Sequence, residues 1–344
     1  MDQAPVFYGR VVRGVKNGPS PAWLQDCLKA IGLRPISTLV DITNFFTYDR
    51  NRPLHVFDAD KVAGNALRVH RAAGGETFKA LDEKEYTLVE GMTAISDANG
   101  VESLAGIMGG EHSGCTDETT NVFIEAAFFD PVCTAYTGRA LKIHSDARYR
   151  FERGIDAAWT PIGLDHATQM ILDLCGGEAS DVVIAGAIPD HSRAYRLDTD
   201  RVQSLVGMEI PAEEQRKTLT ALGFELDGDM AHVPSWRPDV LGEADLVEEV
   251  ARIASLTKLQ GKPLPRTTTG VPKAILTPMQ KREQIARRTM ASLGYNECVT
   301  YSFIDRKSAE LFGGGDDATM LENPISSDMS HMRPDLLAGL LQAA

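Results

Sequence analysis

The sequence predicts a multidomain protein of the α+β class, and three observations lead to that prediction. A chain of 344 residues exceeds what one hydrophobic core normally supports, so two or three domains are expected. Residues 7–15 alternate as a strand does, whereas residues 23–31 place apolar side chains at helical spacing. Residues 66–96 carry short strand-like runs separated by glycine and acidic turn pairs, which is typical of a β-meander.

Composition and charge exclude several classes of protein. Apolar residues make up 43% of the chain and charged residues 24%, which is ordinary for a globular protein. The net charge of −13 argues against tight, charge-driven nucleic-acid binding by this chain alone, although a partner can still hold a nucleic acid. The five cysteines form no CxxC pair, which indicates thiols in a reducing compartment. Without a signal-peptide segment or a long apolar run, a cytoplasmic protein with no membrane span is expected.

Capping and turn residues predict the first helix and the segment after it. Ser20 and Pro21 occupy the N-cap and first-turn positions expected before the helix at residues 23–31. We interpret the apolar residues at 39–42 as a buried strand. The polar residues that follow, Thr43 and Asn44, are the end of this strand or the cap of another helix. A turn that contains Arg52 and Pro53 then leads to His55. The plainer alternative is a helix stop beside a structural histidine.

Three further stretches of the first domain can carry chemistry. Residues 103–110, SLAGIMGG, are an apolar run in which backbone can approach a ligand closely, or in which two elements pack tightly. Residues 121–129 read as a buried strand with one charge, Glu125, which is either paired structurally or kept for function. Residues 145–156 hold three arginines that form a solvated face or bind a phosphate-bearing substrate.

The remaining chain predicts a small module and one further domain. Residues 191–260 contain two or three helices and a hairpin, which is typical of a winged-helix-like module. Its last helix carries clustered carboxylates that either bind a hard cation such as magnesium or form a solvated helix start; with Asp239 before it, they are Asp245, Glu248 and Glu249. A proline- and threonine-rich linker spans residues 261–278. A helix at 279–293, a strand at 298–303 and a helix beginning within residues 332–337 follow, and the last domain is expected to be cut short.

Taken together, these stretches resemble the β subunit of bacterial phenylalanyl-tRNA synthetase. The resemblance is collinear from about residue 11 onward and is carried by VDITNFF, RPLHVFD, LAGIMGG, VFIEAAFFDP, SDARYRFERGID, PSWRPDVLGEADLVEEVARI and NPISSDMSHMRPDLLAGLL. It implies a mixed-sheet editing domain at residues 1–190, a winged-helix-like module at 191–260, and a truncated, catalytically inert class II synthetase-like domain at 261–344.

The resemblance also implies a reaction and a set of site residues. The editing domain of that family hydrolyses tyrosine wrongly attached to phenylalanine tRNA. His55, Asn44 and Thr43 would orient the ester and the attacking water, and Glu125 would accept the tyrosine hydroxyl. Whether the imidazole or the ribose hydroxyl of the substrate moves the proton stays open. The implied substrate-binding residues are Pro53, Gly106, Gly109, Ser145 and Ala147.

Partners and cofactors follow from the same resemblance. It implies an α2β2 heterotetramer with an α subunit, binding of tRNA(Phe), and ATP used in the α active site. It also implies Mg²⁺, shared with α, at Asp239, Asp245, Glu248 and Glu249. The alternative function is a non-enzymatic scaffold that binds tRNA and α around an inactive pocket.

Overall fold

A computed structural model of the protein describes residues 3–265 and 275–344. The chain divides into two compact units, Met1–Gly261 and Lys262–Ala344. Part of the predicted linker at residues 261–278 lies outside the described residues. Within the described ranges, every helix is too short or too polar to cross a membrane.

The first unit opens with a domain of mixed strands and helices. Its elements are, in order, β1 (Val6–Arg13), α1 (Ala22–Ala30), α2 (Thr38–Asp49), β2 (His55–Asp58), β3 (Arg68–Arg71), β4 (Thr77–Lys79), β5 (Glu85–Thr87), β6 (Thr93–Ser96), β7 (Val101–Leu104), β8 (Met108–Gly109), β9 (Asn121–Phe128), α3 (Pro131–Ala140), α4 (Asp146–Phe151), α5 (Thr160–Cys175), β10 (Glu178–Ala179) and β11 (Val183–Gly186).

An antiparallel sheet in the order β10-β1-β9-β2 forms the centre of this domain, and β11 also pairs with β1. Alternate residues of β9 face two different cores because side chains of a strand alternate between its faces. Val122, Ile124 and Ala126 pack in one core with residues of α2 and α5. Phe123 and Ala127 pack in the other. The strand predicted at residues 121–129 is thereby confirmed, and Glu125 lies on its second face.

The short strands predicted at residues 66–96 are confirmed, but the meander is wrong, because β3 pairs with β6 rather than with β4. A second antiparallel sheet has the order β3-β6-β7-β8, and β4 and β5 form a separate hairpin. A turn at residues 97–100 connects β6 to β7. The glycine-containing run is therefore a tight hairpin, β7–β8, rather than one strand.

The strand predicted at residues 39–42 is wrong, because these residues lie in helix α2. Leu39, Ile42 and Phe46 are three and four residues apart and all are buried, so the short apolar run is one face of a helix. Asp41 is fully buried and accepts hydrogen bonds from the Ser20 hydroxyl at 2.6 Å and the Ile36 N–H at 2.8 Å. Ser20 therefore does not cap α1, whose N-cap residue is Pro21.

The second part of the first unit contains the predicted helices and hairpin. Its elements are β12 (Ala194–Arg196), α6 (Thr199–Val206), α7 (Ala212–Ala221), β13 (Glu225–Asp227), β14 (Met230–His232) and α8 (Glu243–Ala254). The strands form a sheet in the order β12-β14-β13, and the three helices share one apolar core with it.

The second unit contains α9 (Pro278–Ser292), β15 (Phe303–Ile304), α10 (Arg306–Leu311), β16 (His331–Met332) and α11 (Leu337–Ala343). The helix predicted at residues 279–293 is confirmed, and Thr277 and Gln280 form a capping box at its start. The strand predicted at 298–303 is wrong except at its end, since only β15 pairs, with the two-residue β16. The last helix begins at Leu337, which is the last position of the window predicted for its start; Pro334 disfavours helical backbone at Arg333.

Candidate functional site

One cavity of about 560 Å³ is lined by all the residues that were predicted to orient the ester, position the water or bind the amino acid. They come from α2, from β2 and the turn before it, from the β7–β8 hairpin, from β9 and from the start of α4. The nine residues are Thr43, Asn44, Pro53, His55, Gly106, Gly109, Glu125, Ser145 and Ala147. Apolar side chains of Leu104, Ile107 and Phe151 complete much of the wall.

Helix α2 contributes the polar side chains of one wall. The Thr43 hydroxyl donates to the Val40 carbonyl at 2.7 Å, a local bond that helical threonines commonly make. The partly buried Asn44 amide makes no hydrogen bond within the described part of the chain. Asn44 is therefore the group on this helix that remains available to a ligand.

His55 and Glu125 face each other across two neighbouring strands. They are directly paired in the β2–β9 register, so their side chains lie on the same face of the sheet. The imidazole contacts the ring of Phe57 edge to face, with 4.4 Å between centroids. His55 Nε2 and Glu125 Oε2 are both enclosed, and neither has a hydrogen-bond partner among the described residues. Both residues line the cavity, and a ligand or water that reached these two atoms would satisfy them.

Burial changes the charge state of both groups. Loss of hydration raises the pKa of Glu125 to about 8 and lowers the pKa of His55 to about 4. At neutral pH the carboxyl is therefore mostly protonated and can both donate and accept a hydrogen bond. The imidazole is neutral and keeps one nitrogen lone pair for a hydrogen bond from water.

The lowered pKa of His55 predicts a loss of stability in acid. Between its ordinary pKa of 6.5 and about 4, the unfolded chain binds a proton that the folded chain does not, so the free energy of unfolding falls as pH falls through this window. The shift corresponds to roughly 3 kcal/mol. Urea denaturation across pH is expected to show a shallower acid loss for His55→Gln than for the exposed control His232→Gln. Titration of Glu125 changes the free energy of unfolding in the opposite direction, but it does so equally in both variants and cancels in the comparison. Parallel curves of stability against pH for the two variants would contradict the prediction.

The two glycines of the β7–β8 hairpin make room for protein side chains. A Cβ atom on Gly109 would lie 2.6 Å from His55 Nε2. A Cβ atom on Gly106, whose φ is +70°, would lie 2.8 Å from Phe129 Cδ2 and 3.0 Å from Phe151 Cδ2. Gly109 therefore allows the imidazole to pack against the hairpin, which is the tight-packing alternative that the sequence left open for this run.

Ser145 connects two walls of the cavity. Its hydroxyl accepts from the Arg148 N–H at 3.1 Å, as an N-cap residue does, and donates to the Ile107 carbonyl at 2.6 Å. The start of α4, which carries Ala147, is thereby fixed against the β7–β8 hairpin.

The arginines around the cavity are engaged within the protein. Arg52, 1% exposed, donates to the carbonyls of Ala127 and Asp156. Arg148 is buried and bonds Glu152. Of the other two predicted arginines, Arg150 pairs with Asp146 and lies over Tyr48, and Arg153 pairs with Glu152 and lies over Tyr149. Only the last two present part of their surface outward.

The carboxylates proposed for magnesium are held by arginines. Arg237 bonds both Asp239, at 2.6 Å, and the buried Glu249, at 2.9 Å. Glu249 also pairs with Arg252, and Asp245 accepts the Leu241 N–H at 2.8 Å. As arranged, this donor set does not fit a cation, because a guanidinium lies between two of its members. We therefore derive no step through magnesium, and the assignment stays a prediction.

Several lining residues were not found from the sequence. Leu81, Met108 and Cys115 border the cavity without any local pattern that separates them from ordinary core residues. Burial raises the pKa of the Cys115 thiol to about 12, so the thiol is not a reactive nucleophile.

Comparison with known families agrees with the division of the chain described above. The B3/4 domain family matches residues 3–176, the tRNA synthetase B5 domain family residues 195–255, and the phenylalanyl tRNA synthetase beta chain CLM domain family residues 263–344.

Curated relatives match along the whole chain. Phenylalanine–tRNA ligase beta subunits from Ruegeria pomeroyi and Cereibacter sphaeroides are 75% and 69% identical over 343 and 340 residues. These matches cover 100% and 99% of this chain but 43% and 42% of the relatives, so the chain spans less than half of their length. A crystal structure of an N-terminal fragment of the phenylalanyl-tRNA synthetase beta subunit from Pyrococcus horikoshii covers 72% of this chain and 70% of its own, with 17% identity and a TM-score of 0.33.

Proposed function

The chain belongs to the phenylalanine–tRNA ligase beta-subunit family, and on that basis we propose that its first domain hydrolyses tyrosine attached to phenylalanine tRNA. The observation that carries the proposal is the single cavity in which His55, Glu125 and Asn44 meet. The assembled enzyme would aminoacylate tRNA(Phe) with ATP and Mg²⁺ in the α subunit of an α2β2 tetramer in the cytoplasm, and this chain would contribute tRNA binding and contacts to α.

The chemistry of the cavity suits a site that selects tyrosine. An aromatic pocket cannot strongly reject an isostere that adds one hydroxyl, whereas a second site with a polar group aimed at that hydroxyl can accept it and discard phenylalanine. Glu125 supplies such a group, because its enclosed Oε2 has no partner in the described part of the chain. Filling the cavity with phenylalanine would leave this polar atom unsatisfied.

The polar groups opposite Glu125 would position the reacting ester. Asn44 and Thr43 on α2 and His55 on β2 border the same cavity. A neutral imidazole with a pKa near 4 is a weak base at neutral pH, so His55 would hold and orient water rather than remove its proton outright. Hydrolysis would then depend largely on placing water against the ester carbonyl.

A cavity mutation tests the proposal. Gly109→Ala would push the His55 imidazole from the wall, and deacylation of tyrosyl-tRNA by the assembled enzyme is expected to slow by about tenfold to a hundredfold. Gly100→Ala is the matched control, because a Cβ atom there meets no atom within 4 Å. Release of labelled tyrosine from mischarged tRNA measures both. Equal rates for the two variants would contradict the assignment of this cavity.

The second candidate function is the scaffold. It is favoured by the tight packing of protein side chains against Gly106 and Gly109. A scaffold predicts that tRNA binds normally while tyrosine is released no faster than from tRNA alone, so the same assay distinguishes the two.

A further inference from the structure

We propose that Asp97, Glu102 and His112 bind a divalent transition-metal ion of the zinc class. One ligand atom from each residue lies within 4.8 Å of the other two. Among the described residues, no other group of three or more histidine, cysteine or acidic side chains comes this close together. His112 Nδ1 is 3.2 Å from Glu102 Oε1. Atoms bound to one zinc ion lie roughly 3.3 Å apart, so small side-chain rotations bring the three atoms to that spacing.

Glu102 supplies an independent indication of a ligand site. Its side chain is buried, with 4% of the residue exposed, and Oε2 has no hydrogen-bond partner in the described part of the chain. Its other oxygen, Oε1, pairs with the imidazole of His112, which is itself exposed. Leaving a buried carboxylate oxygen without a partner is costly, and a bound cation would remove that cost.

Asp97 is held in place to act as the third ligand. Its Oδ1 accepts from the N–H groups of Asn99 and Gly100 at 2.7 and 3.0 Å, and its Oδ2 accepts from the Ala63 N–H at 2.8 Å. A carboxylate has about four lone-pair directions, so one remains for a metal.

The donor set indicates the class of metal. One imidazole with two carboxylates suits zinc or a neighbouring first-row ion better than calcium, which prefers six to eight oxygens. The cysteines are not involved. Two of the three ligands, Glu102 and His112, line a small cavity of about 320 Å³, from which water can complete the coordination.

A metal here would join three segments of the domain. Asp97 lies in the turn before β7, Glu102 lies on β7, and His112 follows β8. Ser103, next to Glu102, lines the larger cavity. The ion would therefore stabilise the hairpin that carries Gly106 and Gly109 without touching the proposed substrate.

Co²⁺ titration of the 344-residue chain tests the site. Visible absorption is expected to saturate at one Co²⁺ per chain, to show no thiolate charge-transfer band, and to disappear when Zn²⁺ is added. His112→Ala removes an exposed ligand without disturbing the core, and it is expected to weaken Co²⁺ binding by about tenfold or more. Glu102→Gln keeps the shape of the side chain and is expected to weaken binding similarly. His232→Ala, which removes another exposed histidine, should bind as the wild type does.

Thermal unfolding provides a second readout that does not depend on activity. Zn²⁺ is expected to raise the Tm of the wild type and of His232→Ala but not that of His112→Ala, because only a ligand of the folded state stabilises it. The proposal is overturned if the wild type binds no Co²⁺ saturably, if His112→Ala binds as tightly as the wild type, or if thiolate bands accompany binding. These results would leave the hydrolysis proposal unaffected.

Discussion

Glu125→Ala is expected to slow the hydrolysis of tyrosyl-tRNA by about tenfold to a hundredfold, whereas Glu125→Gln is expected to retain most of it. The reason is the charge state of the carboxyl. Burial raises its pKa to about 8, so at neutral pH the group is mostly a neutral donor and acceptor, which the glutamine amide reproduces. A single-turnover deacylation assay on the assembled enzyme measures the three rates.

The pH dependence of the hydrolysis rate distinguishes a neutral Glu125 carboxyl as the active form from an ionised carboxylate. After the spontaneous hydrolysis of the ester is subtracted, the wild-type rate should fall as pH rises through about 8, while the Glu125→Gln rate should not. If glutamine is as damaging as alanine and the wild-type profile is flat, the charged form is the active one.

The free energy of unfolding should also fall as pH rises. Between the ordinary value of 4.5 and about 8 the folded chain keeps a proton that the unfolded chain loses, so rising pH lowers the free energy of unfolding.

Arg52→Met is expected to lower the free energy of unfolding by about 2–5 kcal/mol. Arg52 is the largest fully buried side chain, and its guanidinium donates to the carbonyls of Ala127 on β9 and Asp156 before α5. Removing it leaves two carbonyl oxygens without these charge-assisted hydrogen bonds. The loss would also loosen the turn that positions Pro53 and His55.

Arg50→Met is the matched control for this prediction. Arg50 stands two residues earlier, its side chain is 57% exposed, and its partner is the neighbouring Asp49. An exposed pair of this kind contributes at most about 1 kcal/mol. Urea denaturation followed by tryptophan fluorescence compares the two variants. Equal midpoints would mean that Arg52 does not hold the sheet to the segment before α5.

The sequence predicted the strands and the site residues for different reasons. Strand β9 was predicted because a continuous apolar run bounded by turn residues is itself a strand signal. Local patterns singled out Thr43, His55 and Glu125 as candidates, whereas Ser145 and Ala147 were found only through resemblance, since no local pattern places Thr43 and Ser145 in one cavity. Helix α2 was misread because Leu39, Val40 and Ile42 give a run too short to distinguish a strand from a helix face.

Other features depend on contacts between distant residues. The burial of Asp41 is explained by Ser20, twenty-one residues earlier, and the small size of Gly109 by the imidazole of His55. Asp97, Glu102 and His112 meet only because two successive hairpins fold together, so their spacing along the chain carries no metal signature. The pKa shifts of His55 and Glu125 likewise come from enclosure.

The central claim, that this cavity selects tyrosine by its hydroxyl, is tested most directly by one pair of rates. Tyrosyl-tRNA and phenylalanyl-tRNA, made on the same phenylalanine tRNA, are incubated with the assembled wild-type enzyme in the absence of ATP, and the release of each amino acid is followed. We expect tyrosine to be released faster by about a hundredfold or more, because the site leaves Glu125 unsatisfied when the hydroxyl is missing. Equal rates of release would contradict the account.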